Sequence, residues 1–162
     1  MDEQQRREFA DAIKKAFAKV KKPNRDAARS DQDELQDIVG KNWDEITPHE
    51  LSYSFMTFFT TAGLHYYLQA YLIAAVLDPD SMDQPVHIIY RLSPLNETPE
   101  HLARLNVPFS CAQMKIIVSF FELYRDLYPV QDSFINSRIY LEEEKIIEHG
   151  WEYWSKKLAE CD

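Results

Sequence analysis

Five histidines, at positions 49, 65, 87, 101 and 149, are the residues of this chain best suited to chemistry. Paired on a helix they would bind a transition metal, and singly they would move protons near neutral pH. None stands in HExxH, HxxxH or ExxH spacing, the arrangements that place two ligands on one helical face. His65 invites a closer reading because Tyr66 and Tyr67 follow it directly and Tyr71 lies one turn beyond Tyr67. A polar side chain in an apolar helix needs a hydrogen-bond partner. A buried histidine bonded to a neighbour meets that need, and so does a general base. A pocket lined by His65, Tyr66, Tyr67 and Tyr71 would make the protein a small-ligand binder or an enzyme.

Glu142, Glu143 and Glu144 form the sharpest acidic run. If Ile139 to Trp154 is one helix, Glu143 falls four residues after Ile139 and four before Ile147, on the apolar stripe. A carboxylate there pairs with Arg or Lys, binds a ligand, or marks a break in the helix. A partly buried acid with a raised pKa would be the functional outcome, but no second acid can be set opposite it.

Nucleophilic and phosphate chemistry have no support. GxSxG is absent, and the three glycines (Gly40, Gly63, Gly150) stand more than twenty residues apart, which excludes a glycine-rich loop. Cys111 and Cys161 are far apart in sequence and form no CxxC pair, so they read as neither a disulfide framework nor a zinc site. That usage suits a reducing compartment. No catalytic residue, metal or cofactor is expected.

The elements that must position these groups read as helices. Thr60–Leu77 is apolar all round, as the centre of a helical core must be. It is too short and too polar, with His65 and Gln69, to be taken for a membrane span. Ser110–Tyr128 is a second core helix, opened by a Ser110/Gln113 capping box and carrying Lys115, Ser119, Glu122 and Asp126 on one polar face. Asp2–Lys22 reads as an amphipathic helix stopped by Pro23, and RDAARSDQDE as a mobile connector. A short helix is expected from Ser30 or Asp31, carrying Leu35, Ile38 and Val39 and ending at Gly40. Thr47 and Thr98, each followed by Pro, open two more helices, the first running on to Phe55, Phe58 and Phe59. Asp80–Leu92, with Pro85 in its first turn, and Asp132–Leu158, which Gly150 divides, complete the set. VHIIYRL keeps a strand as an alternative. Asn96-Glu97-Thr98 matches a glycosylation acceptor, but MDEQQRREF lacks the layout of an export signal.

The net charge of −9 conceals an asymmetry. Residues 1–30 hold nine Lys/Arg against five Asp/Glu, and residues 31–162 hold nine against twenty-two. A body of −13 repels phosphate backbones, so the main domain is not expected to bind nucleic acid. The basic start either docks on that body or reaches an external polyanion.

Two segments carry a resemblance. Phe59–Leu72, FTTAGLHYYLQAYL, is similar to a block of T-P-E-A, an aromatic, a variable residue and Y-Y-L-P-A-Y-L. Phe109–Tyr124, FSCAQMKIIVSFFELY, is similar to a second block of T-P-E-Q, an apolar run and F-L-E-Y. Together with Tyr153-Trp154 they resemble an uncharacterised, mostly bacterial family of small acidic proteins classed as a domain of unknown function. The resemblance spans Trp43–Trp154, leaves the N-terminal arm outside, and departs from the pattern at Thr61, Gln69 and Cys111, where Pro is expected. It implies a helical fold and no activity, cofactor or catalytic residue.

The sequence thus predicts an all-α, single-domain bundle of six to eight helices around two core helices. A basic helix and linker over residues 1–30 lies at the periphery of an acidic domain over residues 31–162. The expected function is a non-enzymatic protein-interaction module, cytoplasmic, with a basic protein as partner. The alternative is a ligand binder or enzyme at the His65 pocket.

Overall fold

Helix α1 (Glu3–Phe17) begins where the Asp2 carboxylate accepts from the Gln5 amide and the Gln5 side chain answers to the Asp2 amide. It ends five residues before the expected stop. Pro23 disfavours helical geometry at Lys22, and the chain turns at Phe17, whose carbonyl accepts from Val20. The computed structural model describes residues 1–81, 86–94, 98–128 and 138–161, except for the side chains of 138–141. The remaining helices are α2 (Arg25–Ala28), α3 (Pro48–Ser52), α4 (Thr61–Leu77), α5 (Val86–Leu92), α6 (Pro99–Arg104), α7 (Cys111–Leu127) and α8 (Arg138–Ala159). Single 3₁₀ turns lie at Trp43–Glu45, Met56–Phe58 and Pro79–Ser81. There is no strand among the described residues, only an isolated bridge between Arg29 and Phe59. The VHIIYRL segment is α5.

Helices α4 and α7 share one continuous core, but each leans on a different neighbour. Helix α1 lies along α4 at the edge of the bundle, burying Ala10, Ile13 and Phe17 and leaving its lysines wet. Helix α8 lies along α7, and α4 and α7 meet each other over only a few residues. The reason is saturation: α4 buries side chains on every side, from Gly63 through Tyr71 to Val76, so it needs several partners at once. Helix α8 runs through Gly150 without dividing. Its expected first residues, from Asp132, lie outside the described residues, as do Pro85 and Asn96-Glu97.

Two segments depart from their periodicity. RDAARSDQDE is not a loose connector: Arg25–Ala28 is a helical turn whose Ala28 carbonyl accepts from the Thr60 amide, and Ala28 itself is fully buried. Residues 30–41 form turns rather than a helix. Leu35 sits at φ +57° and Gly40 at φ +96°, so the left-handed glycine is present, but Leu35 has broken the helix before it. A left-handed leucine is strained by about 1–2 kcal/mol, and here Leu35 is held by burial. Helix α3 starts at Thr47 as expected, with a Thr47/Glu50 capping box, but stops at Ser52, which leaves Tyr53 and Phe55 exposed.

Candidate functional site

His65 is half-buried at the foot of α4, and its Nε2 donates to Gln113 Oε1 at 3.0 Å. The same oxygen accepts from the Ser110 amide at 2.9 Å, closing the capping box of α7, while Gln113 Nε2 donates to the Ala16 carbonyl near the end of α1 at 3.2 Å. One buried glutamine therefore joins three helices, and His65 is its third partner. Beside them a groove of about 990 Å³ runs between α1 and α7, with Ala12, Ala16 and Ile116 among its walls and Lys15, Lys19 and Lys115 along it.

Tyr66, Tyr67 and Tyr71 do not line that groove. Their rings fill the core, and two hydroxyls hold loops. Tyr67 donates to the Lys41 carbonyl at 3.1 Å and accepts from the Gly40 amide at 3.0 Å; Tyr71 donates to the Ser54 carbonyl at 2.9 Å. Burial raises the pKa of all three phenols, with a backbone hydrogen bond from Trp43 partly offsetting it at Tyr66 and one from Gly40 at Tyr67. Tyr71, enclosed completely, moves furthest. The structure thus separates the four residues expected to share a pocket: His65 reaches a groove, and the tyrosines act as pegs for the chain between Gly40 and Ser54.

Glu143 pairs with Arg125 of α7 at 3.2 Å, both partly buried. Glu144 also pairs with Arg125, and Glu142 lies exposed. The position of Glu143 on the apolar stripe is resolved by an ion pair between α7 and α8, one of the three outcomes open to it from sequence. No break follows.

Cys111, first residue of α7, and Cys161, just beyond α8, form a disulfide with Cα atoms 5.7 Å apart. This corrects the reading of two unpaired cysteines, and with it goes the cysteine argument for a reducing compartment. Spacing concealed the pair, because only the packing of α8 along α7 returns the C-terminus to the start of α7. Among the described residues no helix is long and apolar enough to cross a membrane, and no group of three His, Cys, Asp or Glu side chains could hold a metal ion.

A model for a family of unknown function, DUF6714, matches residues 5–158, from within α1 to the last turn of α8. The chain belongs to that family. No curated protein and no solved structure matches it. The DUF6714 match takes in α1, which the two resembling blocks had left outside, in keeping with the burial of Ile13 and Phe17 in the common core.

Two features of this DUF6714 member had no signal in single residues. One is the anchoring of the acidic chain after α2. Lys22 Nζ donates to the Gly40 carbonyl and Asn42 Oδ1, Arg25 to the Gln36 carbonyl and Arg29 to the Glu34 carbonyl. The basic start thus docks on the body mainly through backbone carbonyls, and the carboxylates of Asp33, Asp37 and Asp44 make no ion pair among the described residues. The other is a cleft beside α5 and α6 walled by arginine and histidine. The i,i+4 spacing of His87 and Arg91 and the i,i+3 spacing of His101 and Arg104 set each pair on one face, a pattern visible in sequence once both segments are taken as helices.

Proposed function

We propose that this protein is a non-enzymatic interaction module that docks a basic protein partner on the acidic loop between Asp31 and Glu45. The observation that carries the reading is the mode of anchoring. That loop contains six acidic residues and one lysine, and Lys41 is taken up by Glu50. Lys22, Arg25 and Arg29 grip its carbonyls and Asn42, and of its carboxylates Asp31 and Glu45 bond amides within the loop, so its shape is held without the carboxylates of Asp33, Asp37 and Asp44. Asp33, Asp37 and Asp44 are exposed and make no ion pair among the described residues. A preorganised acidic surface loses little conformational entropy on docking and attracts cationic partners over the Debye length, an effect that weakens with salt.

The test is retention of proteins from a source lysate at low salt on immobilised wild type and on an Asp33→Asn, Asp37→Asn, Asp44→Asn variant. A basic protein held by the wild type, released by salt and lost from the variant supports the reading. Equal retention on both removes it. Glu148→Gln with Glu152→Gln, on exposed α8 positions, serves as the control and should retain the partner.

A further inference from the structure

The Met56–Phe58 turn, α5 and α6 enclose a cleft of about 500 Å³, a volume in the range of small-molecule sites. Thr57, His87, Tyr90, Arg91, His101 and Arg104 contribute its polar lining, and among the described residues neither Asp nor Glu lines it. In a chain of net charge −9 this is an inverted local field. Glu142 and Glu143 of α8 act on Tyr90 after burial in raising its phenol, and Glu143 is held by Arg125.

Arg91 is the unusual member. It is 5% exposed and makes no ion pair among the described residues. Its Nε donates to the Met56 carbonyl at 3.3 Å and its Nη1 to the Arg104 carbonyl at 3.0 Å, while Nη2 is buried with no partner. A buried guanidinium without a carboxylate is costly to keep charged. Burial, and then the charge of Arg104, lower its pKa to about 10, so it remains a cation at neutral pH. Arg104 is itself exposed and without an ion pair among the described residues. His101 donates through Nε2 to the Ser93 carbonyl at 2.5 Å, which fixes its ring at the cleft wall.

We infer that this cleft is a binding site for a small organic anion, whose carboxylate or phosphate group lies against Arg104 and the buried Arg91 guanidinium. Met56, Val86 and the Tyr90 ring supply apolar wall for the body of the molecule. A carboxylate or phosphate accepts from a guanidinium through charge-assisted hydrogen bonds, and at contact distance these outweigh the screened repulsion of the distant acidic surface. The anion supplies the counter-charge that Arg91 lacks among the described residues. This site is separate from the acidic loop, and neither proposal depends on the other.

The test is a nuclear magnetic resonance titration of the full chain with phenyl phosphate and, separately, benzoate, with benzyl alcohol as the uncharged control. Saturable shifts confined to the Met56–Phe58 turn, α5 and α6 are expected with at least one anion and not with the alcohol. Arg104→Gln should weaken that binding about tenfold or more, the loss of one charge-assisted contact. Arg91→Met, which fills the same space without charge, should abolish saturation while the protein stays folded. Binding of phenyl phosphate alone identifies a phosphate monoester, and binding of benzoate a carboxylate. No saturation with either anion, equal shifts with benzyl alcohol, or Arg104→Gln binding as wild type overturns the inference. Should Arg91→Met fail to fold, the exposed Arg104 decides it.

Discussion

Gly150 of α8 lies against the ring of Phe121 on α7: a Cβ on Gly150 would stand 2.3 Å from Phe121 Cζ. In an unhindered helix Gly→Ala stabilises by roughly 0.5–1 kcal/mol. Here the ring is buried and has nowhere to retreat, so Gly150→Ala is expected to destabilise by about 1–3 kcal/mol through overpacking. In a Phe121→Leu background the same change should be neutral or favourable. Urea unfolding of the four proteins measures the coupling, and a Gly150→Ala protein more stable than wild type contradicts the assignment.

Gly63 meets backbone rather than a side chain. A Cβ there would fall 2.0 Å from the Ala28 carbonyl oxygen, the acceptor of the Thr60 amide. The α2 segment would have to leave α4, carrying away the seat of the buried Ala28. Gly63→Ala should therefore cost about 3 kcal/mol or more, and amide hydrogen exchange over residues 24–30 should rise well above the wild-type rate. Unchanged exchange there would show that α2 is not held by this approach.

The Cys111–Cys161 bridge closes a loop with a sequence separation of 50, for which loop-closure entropy predicts about 4 kcal/mol of stabilisation at most. Reduction, or Cys111→Ser with Cys161→Ser, should lower the urea midpoint and free the end of α8 first. Tryptophan fluorescence should report it, since Trp154 lies fully buried with its indole N–H donating to the Leu92 carbonyl. Identical midpoints with and without reductant would remove the bridge from the stability of the fold.

Glu50 carries a pH signature. Its hydrogen bond from Lys41, and then that from the Thr47 amide, hold its carboxyl below the ordinary 4.5. A carboxylate whose pKa is lower in the folded state stabilises the fold above its unfolded pKa and loses that contribution as pH falls through the folded value. The stability gap between wild type and Glu50→Gln should be about 1 kcal/mol near neutrality and should close below pH 4.5. A gap independent of pH would mean that the Thr47–Glu50 cap works without the charge.

Caps are where the sequence was most legible. Thr47 and Thr98 open helices and Ser110 with Gln113 forms a capping box, all as read, and Thr60 caps α4 by accepting from the Gly63 amide. The uniform apolarity of Thr60–Leu77 likewise foretold a helix buried on every side. Leu35, Ile38 and Val39 misled because they repeat at helical spacing. Their burial comes from a turn that Arg25 and Arg29 clamp and Tyr67 anchors at Gly40, none of which periodicity encodes. The His65 neighbourhood was half legible: its need for a partner was clear, but Gln113 is 48 residues away.

The chain alone determined most helix starts and apolar faces, because capping and amphipathicity are set by residues within about four positions of one another, joined by fixed covalent geometry. Which faces met was decided only in three dimensions. Packing α1 against α4 and α7, and α8 along α7, brought Gln113 to Ala16, Cys111 to Cys161 and Glu143 to Arg125, and the approach of α5 to α6 and the Met56 turn enclosed Arg91. Such pairings rest on a small balance between burial and chain entropy summed over the whole molecule. No local pattern of residues records that sum.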